Sequence, residues 1–402
     1  MFEAFRETDY RRFWTTQFIS NIGSWMQTIA QGWLVYRLTD SPFLLGFVGF
    51  ASSIPSLFLM LPGGVVADHF DRRRVVSASQ WAQALSALFL AVAIRTGHIG
   101  VWQIILASLV VGVAISFSAP AYQAMVVDLL DDRARLPNAV AMNSLQFNLS
   151  RVVGPLLAGL TLSAWGSFWC FLFNALSFLP LIWVLGRVTR RQRPPESTAR
   201  LWARLAEGFR YVRADRVVLL MLSIVAAASL FGYPYVTIMP MVARALYAHN
   251  DAHGLGVLMG GIGAGALAGS ATLSMFTPSP RRMMPSILIS IAALGAGLSA
   301  LAFVRAHAAV VALLAVCGAA MVVGVALCNT SIQQRIPDAM RGRVLSMYTF
   351  AFFAFLPFGN LLAGVIAEHH GLEPALLAMG GGLIAAAVAA LILSAAKHLR
   401  LE

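Results

Sequence analysis

Apolar runs of about twenty residues, parted by short connections that carry arginine, repeat along the whole chain. A run of that length matches the hydrocarbon thickness of a bilayer. Only 11% of the 402 residues are charged, against about 25% in soluble domains. A water-soluble fold with 59% hydrophobic residues would expose more apolar surface than water tolerates. Collagen-like, disordered, disulfide-rich and soluble-enzyme architectures are excluded on the same ground. The pattern predicts an all-α integral membrane protein. Twelve transmembrane helices are expected, at 13–37, 42–67, 75–95, 100–122, 140–163, 165–187, 217–241, 254–276, 285–304, 307–330, 345–367 and 371–395.

The formal net charge of +12 would suggest nucleic acid in a soluble chain. Here the excess is arginine and it falls between the apolar runs. With the N-terminus inside, the outer connections hold only Arg37, Arg95, Arg244 and Arg305, while clusters such as Arg72 to Arg74 and Arg281-Arg282 fall inside. The positive-inside rule then places both termini in the cytoplasm, in a multi-pass cell (inner) membrane protein. Lipid bilayer, not nucleic acid, is the expected surrounding, and a monomer is expected. The first apolar stretch starts near Phe13 and is too long for a cleaved signal. Cys170, Cys317 and Cys328 lie in apolar runs at no metal-site spacing, and read as reduced packing residues.

The longest connection, 188–216, divides the chain into an N-terminal half (1–187) and a C-terminal half (217–402) of six spans each. It opens with Arg190, Arg191, Arg193, Pro194 and Pro195. Within it Leu201, Trp202, Leu205, Phe209 and Val212 recur at helical spacing. An amphipathic helix is expected there, lying on the inner membrane surface or packed against the bundle. The halves repeat. Leu45-Gly46 matches Leu255-Gly256 at an offset of 210, and Leu156 to Gly159 matches Leu361 to Gly364 at an offset of 205. Two related six-span halves are the mark of a secondary transporter.

Between spans 2 and 3 the chain reads Gly64-Val65-Val66-Ala67-Asp68-His69-Phe70-Asp71-Arg72-Arg73-Arg74. This resembles the loop between helices 2 and 3 of the major facilitator superfamily. Arg151-Val152-Val153-Gly154-Pro155, running on to Gly159, resembles that superfamily's antiporter signature. Glu207 to Val212 and the string Gln333 to Ser346, with Pro337, Asp338, Arg341, Gly342 and Arg343, resemble its enterobactin-exporter branch. That branch includes siderophore exporters and macrolide efflux proteins. The resemblance implies the major facilitator fold, with transport by alternating access. It also implies that helix 1 lines the central cavity. Proton-coupled drug antiporters of the superfamily usually carry an arginine in helix 4, whereas Ile104 to Tyr122 holds no charge. The usual antiport route is therefore not implied, and Arg151 is the candidate for part of that role.

Gln17, Asn21, Ser24, Thr28 and Gln31 are spaced by four, three, four and three, so they share one face of span 1. Amides facing lipid would go unpaired, so this face must meet a wet cavity or other helices. Ser144, Asn148 and Arg151 step likewise along span 5. A charge deep in a membrane helix is costly and marks function by default. Arg151 is thus read as a cation for substrate, or as a partner of Asp128. Candidate substrate contacts are Gln17, Asn21, Ser24, Thr28, Gln31, Asn148 and Arg151. Asp68 with Gly64, Arg72 and Arg73 is read as a brace for one conformational state, and Gly154-Pro155 as a kink; these form the conformational switch. Every acidic residue lies in a connection or at a span end. Coupling to a proton gradient, if used, falls to an edge group such as Asp40, Asp68 or Asp128, or to a histidine. Gly261, Gly265 and Gly269 allow close helix packing, and the run Phe350 to Phe358 could stack on a ring.

No Walker loop is found, and His249 with His253 makes a weak metal signal. Neither a catalytic residue nor a metal or cofactor is expected. The chain is read as a secondary transporter that exports a small organic molecule, siderophore-like or drug-like. An importer or facilitator, or a non-transporting sensor or scaffold, is the alternative.

Overall fold

The computed structural model describes residues 3–187, 201–248, 250–276 and 278–396, and these are helical almost throughout. The first six long helices are α1 (Thr8–Thr39), α2 (Pro42–His69), α3 (Arg72–Arg95), α4 (Val101–Asp128), α5 (Leu136–Trp165) and α6 (Ser167–Arg187). A shorter helix, α7 (Leu201–Ala214), precedes α8 (Arg216–Ala227) and α9 (Met239–Leu246). The rest are α10 (Asp251–Met275), α11 (Pro280–Leu301), α12 (His307–Arg335), α13 (Asp338–His370) and α14 (Leu372–Ala396). Among the described residues, ten helical stretches are long and apolar enough to cross a membrane. α1 and α5, with 32 and 30 residues, are as long but carry the polar faces, which lowers their hydropathy below that level. Lipid-exposed backbone tolerates helices because each bonds its own N–H and C=O groups. Bulky apolar side chains accordingly stay exposed, among them Phe58, Trp102 and Ile289.

Turn chemistry sets the boundaries. Asp40 ends α1 in the left-handed region at φ 52°, and Ser41 then accepts the Leu44 N–H at 3.2 Å, with Pro42 opening α2. Gly166 (φ 86°) alone links α5 to α6, and Gly371 (φ 90°) alone links α13 to α14. Gly154-Pro155 does not break α5, which runs through it.

The segment expected as one span at 217–241 is one helical stretch, Arg216–Leu246, whose pitch changes midway. After α8 the chain makes a π turn over Ala228–Gly232 and a 3₁₀ turn over Tyr233–Val236 before α9. Pro234 has no N–H for an α-helical bond, and the wider turn before it and the tighter turn that contains it absorb that loss. The change of pitch is seated by α13. Ser229 donates to the Phe352 carbonyl, Thr237 donates to Asn360 Oδ1 at 2.8 Å, and a Cβ on Gly359 would lie 2.5 Å from the Leu230 carbonyl oxygen.

The chain forms two compact units, one of Met1–Leu44, Ala51–Thr198 and Tyr247–Gly260, the other of Leu45–Phe50, Ala199–Leu246 and Gly261–Glu402. In the first, α1 packs between α5 and α6, and α3 packs on α4 and α6. Its core at the ends of these helices includes Tyr10, Phe13, Val76, Met125, Leu129 and Leu181. In the second, α11 packs on α12 and α14, and α13 on α7 and α8. The amphipathic helix expected in the connection is α7. It lies against the bundle, with Val212 buried and Glu207 paired to Arg343, while Phe209 stays exposed. Residues 188–200 of the connection, together with Lys397 and Arg400, lie outside the described residues.

Candidate functional site

The polar face of α1 divides among three destinations. Gln17 donates to Asn21 Oδ1 at 2.8 Å, and Asn21 donates to Gln146 Oε1 on α5 at 3.4 Å. Gln146, almost fully buried, also accepts from the Tyr122 hydroxyl at 3.5 Å and donates to the Trp14 carbonyl. Gln31 donates to Ser108 on α4 at 2.9 Å. Ser24 and Thr28 bond carbonyls one turn back, and Thr28 is exposed. The sense of the amide chain is fixed at one end. A backbone carbonyl only accepts, so Gln146 must present its NH₂ to Trp14 and its oxygen to Asn21. Asn21 then presents its oxygen to Gln17, which leaves Gln17 Oε1 buried without a partner.

α1 and α5 are stitched together below this point. Tyr10, fully buried, donates to the Ala139 carbonyl at 2.9 Å or Asn143 Oδ1 at 3.0 Å, Trp14 Nε1 donates to the Met142 carbonyl at 3.0 Å, and Glu7 pairs with Arg135 at 2.7 Å. Above it, Arg151 lies over the Trp25 ring, with Cζ 5.8 Å from the ring centroid. Asn148 is half-buried and donates to the Ser144 carbonyl at 2.9 Å. Gly154 lets α1 and α5 approach closely. A Cβ there would sit 2.5 Å from Trp25 Cβ and 2.9 Å from the Ile22 carbonyl oxygen.

At the Tyr10 end of the unit, Arg72 is the hub of the charged loop. Its guanidinium pairs with Asp128 at 2.7 Å, donates to the Ala67 carbonyl at 3.2 Å and lies 3.8 Å from Asp68. It therefore ties the last turn of α2 to the last turn of α4. The Arg72 and Asp128 side chains are 13% and 12% exposed, while Asp68 is 44% exposed, so the Asp128 arm is the stronger. Asp71 caps α3 through the Arg73 N–H and holds the Arg73 side chain at 2.7 Å. The Arg73 hydrogen bond keeps the Asp71 carboxyl below its ordinary range. A depressed carboxyl lends stability above its unfolded pKa, near 4, and loses it only as pH falls further, so this cap holds through neutrality. A side chain at Gly64 would meet open space, whereas a Cβ on Gly63 would fall 2.3 Å from the Ser116 carbonyl oxygen on α4. Asp40 is exposed at the α1–α2 turn.

Sequence spacing missed Gln146, Trp25, Tyr122 and Gly63, which act through contacts far apart in the chain. Gln27, off the polar stripe, is buried and accepts from Asn174 on α6 at 2.6 Å. His249 lies outside the described residues.

Long apolar helices carrying a polar face and an internal arginine define a polytopic membrane transporter. The chain belongs to the transmembrane secretion effector family of the major facilitator superfamily, matching it over residues 1–399. It is 23% identical to the staphyloferrin A transporter of Staphylococcus aureus, covering 97% of each chain. It is 27% identical to the multidrug efflux pump Tap of Mycobacterium tuberculosis, over 94% of this chain and 92% of that one. It is 26% identical to the enterobactin exporter EntS of Shigella boydii, over 85% and 80%. Its fold matches a bacterial homologue of the lysosomal transporter Spinster, solved inward-facing and occupied, with a TM-score of 0.76 at 13% identity over 98% of each chain. These relatives are transporters, not enzymes.

Proposed function

We propose that this protein is a secondary active exporter of a small organic molecule, siderophore-like or drug-like, working by alternating access. Arg151 is the observation that carries the reading. A guanidinium within a membrane helix is retained against a cost in stability, and here it lies over an aromatic ring of α1 beside Asn148. Names of the staphyloferrin A, Tap and EntS relatives support an organic cargo, and those of Tap and EntS support the outward direction. Gln17, Asn21, Ser24, Thr28 and Gln31 complete the substrate-facing set on α1. Gln17 Oε1, left without a partner, suits a donor on the cargo or on a helix that shifts during the cycle.

The layout we propose is twelve spans in two six-helix repeats, with both termini in the cytoplasm of a monomer. The single-glycine turns at Gly166 and Gly371 support it, standing 205 residues apart like the matched Gly159 and Gly364. Asp68, Arg72 and Asp128 form the switch that favours one state. A proton gradient would act through Asp68 or Asp128 there, or through Asp40 at the other end.

Export from proteoliposomes, normalised to folded protein, tests the reading. Arg151→Lys should retain partial transport and Arg151→Ala should lose it, because lysine keeps the charge without the planar fork. The structure gives Asp128 to Arg72 and seats Arg151 over Trp25, so the expected Arg151–Asp128 pair is replaced; full transport by a folded Arg151→Ala variant would remove Arg151 from the substrate site.

A further inference from the structure

Trp25 stands just off the polar stripe of α1, yet three contacts from α5 converge on it. Arg151 lies over its indole, Phe147 meets the ring edge-on with centroids 6.0 Å apart, and Gly154 gives its Cβ room to approach. Phe147, Arg151 and Gly154 are spaced by four and three, so one face of α5 offers an aromatic ring, a cation and a seat for the indole. Trp25 and Arg151 are half-buried and Phe147 is 50% exposed, so the cluster is not sealed in packing.

We infer that Trp25, with Phe147 and Arg151, selects a planar aromatic anion, a ring that bears a carboxylate or phenolate. This rests on the reading of Arg151 as a substrate contact and specifies the ligand. A guanidinium seated on an aromatic face keeps its N–H fork directed outward in its own plane, where it matches two anionic oxygens. The indole and phenyl rings offer faces and edges to an aromatic ring, and their quadrupoles favour it over a saturated body of the same charge and bulk. Gly154 is a positioning residue: it sets where the indole stands but touches no ligand.

The test uses the full chain, purified and folded, with two acids that differ only in saturation. Binding of 2-naphthoate and decahydro-2-naphthoate is measured by calorimetry, and melting temperature checks each variant. The wild type should prefer the aromatic acid by about tenfold. Trp25→Leu should bring the two affinities within about twofold by weakening only the aromatic acid, and Trp25→Phe should retain most of the preference. Arg151→Gln should weaken both acids alike, by about tenfold or more. No preference in the wild type overturns the inference. So does an unchanged ratio in Trp25→Leu, or an equal loss of both acids, which would make Trp25 a support for Arg151 alone. If folded Trp25→Leu cannot be obtained, Trp25→Phe against Phe147→Leu gives the same ratio test. If neither acid binds while another solute is still exported in an Arg151-dependent way, the aromatic-anion inference falls and the transporter reading stands. If the reconstituted chain moves no solute at all, both fall.

Discussion

Arg72 holds a helix carbonyl and two carboxylates at once, and the best buried of its contacts crosses 56 residues to Asp128. Removing one partner of a half-desolvated pair strands the other charge. Arg72→Gln or Asp128→Asn should therefore slow transport by about tenfold, with substrate affinity within about twofold, because the pair lies outside the proposed binding face. Asp68→Asn should cost less, since Asp68 is 44% exposed and 3.8 Å away. Transport rate against ligand affinity, with the Arg72→Gln/Asp128→Asn double variant, checks this; a double variant as poor as the product of the singles would refute a shared pair. The buried amide chain gives a second contrast. Gln146→Leu strands the Asn21 N–H, the Tyr122 hydroxyl and the Trp14 carbonyl, whereas Gln17→Met strands only Asn21 Oδ1 and deletes an oxygen that already lacks a partner. Unmet buried groups cost about 1–3 kcal/mol each, so Gln146→Leu should lower the melting temperature in detergent more than Gln17→Met. Equal shifts would mean that the Tyr122 and Trp14 contacts of Gln146 add nothing to stability. Spacing alone shows which residues of α1 share a face. It does not show that Gln146 waits 125 residues away, nor that Gln27, off the stripe, is buried with Asn174.

Between elements, two neighbouring glycines on α2 separate packing from sequence pattern. Gly64 belongs to the string that marks the loop, but a side chain there meets open space. Gly63 faces the backbone of α4, where a Cβ would come 2.3 Å from the Ser116 oxygen and 3.1 Å from its carbonyl carbon. Backbone cannot rotate away as a side chain can, so α2 and α4 would have to part. Gly63→Ala should destabilise the protein by about 1–3 kcal/mol, as overpacking does, and Gly64→Ala should leave the thermal midpoint almost unchanged. A thermal-shift series on the two variants decides it; a larger loss at Gly64 would assign that glycine a role the packing does not give it. The helices themselves were legible because apolar length and arginine-bearing gaps set their limits, and Asp40, Gly166 and Gly371 close them with local chemistry. The change of pitch after Ala227 was not, because hydropathy stays high through it. Gly232 and Pro234 were the available signal, and prolines elsewhere, such as Pro155 and Pro357, sit inside unbroken helices.

Across the whole molecule, charge is the property we propose orients the chain. In the proposed twelve-span layout arginines crowd the connections on one side, and a chain inserted the other way would carry them outward. The native cysteines leave this open to direct test, since Cys170, Cys317 and Cys328 are all fully buried and give little background. Single cysteines can then be placed at exposed sites on connections assigned to opposite sides. An impermeant maleimide should label His98→Cys and Ala306→Cys in intact spheroplasts. It should label Arg74→Cys and Arg213→Cys only after the membrane is opened. The reverse pattern would invert the protein and place the Arg72–Asp128 switch on the outer side. Labelling at all four sites in intact spheroplasts would mean insertion in both orientations, and the arginine asymmetry would not be what sets the topology. The expected pattern places Arg74 and Arg213 on the cytoplasmic side, and with them the two ion pairs that hold their connections, Arg72 with Asp128 and Arg335 with Asp215.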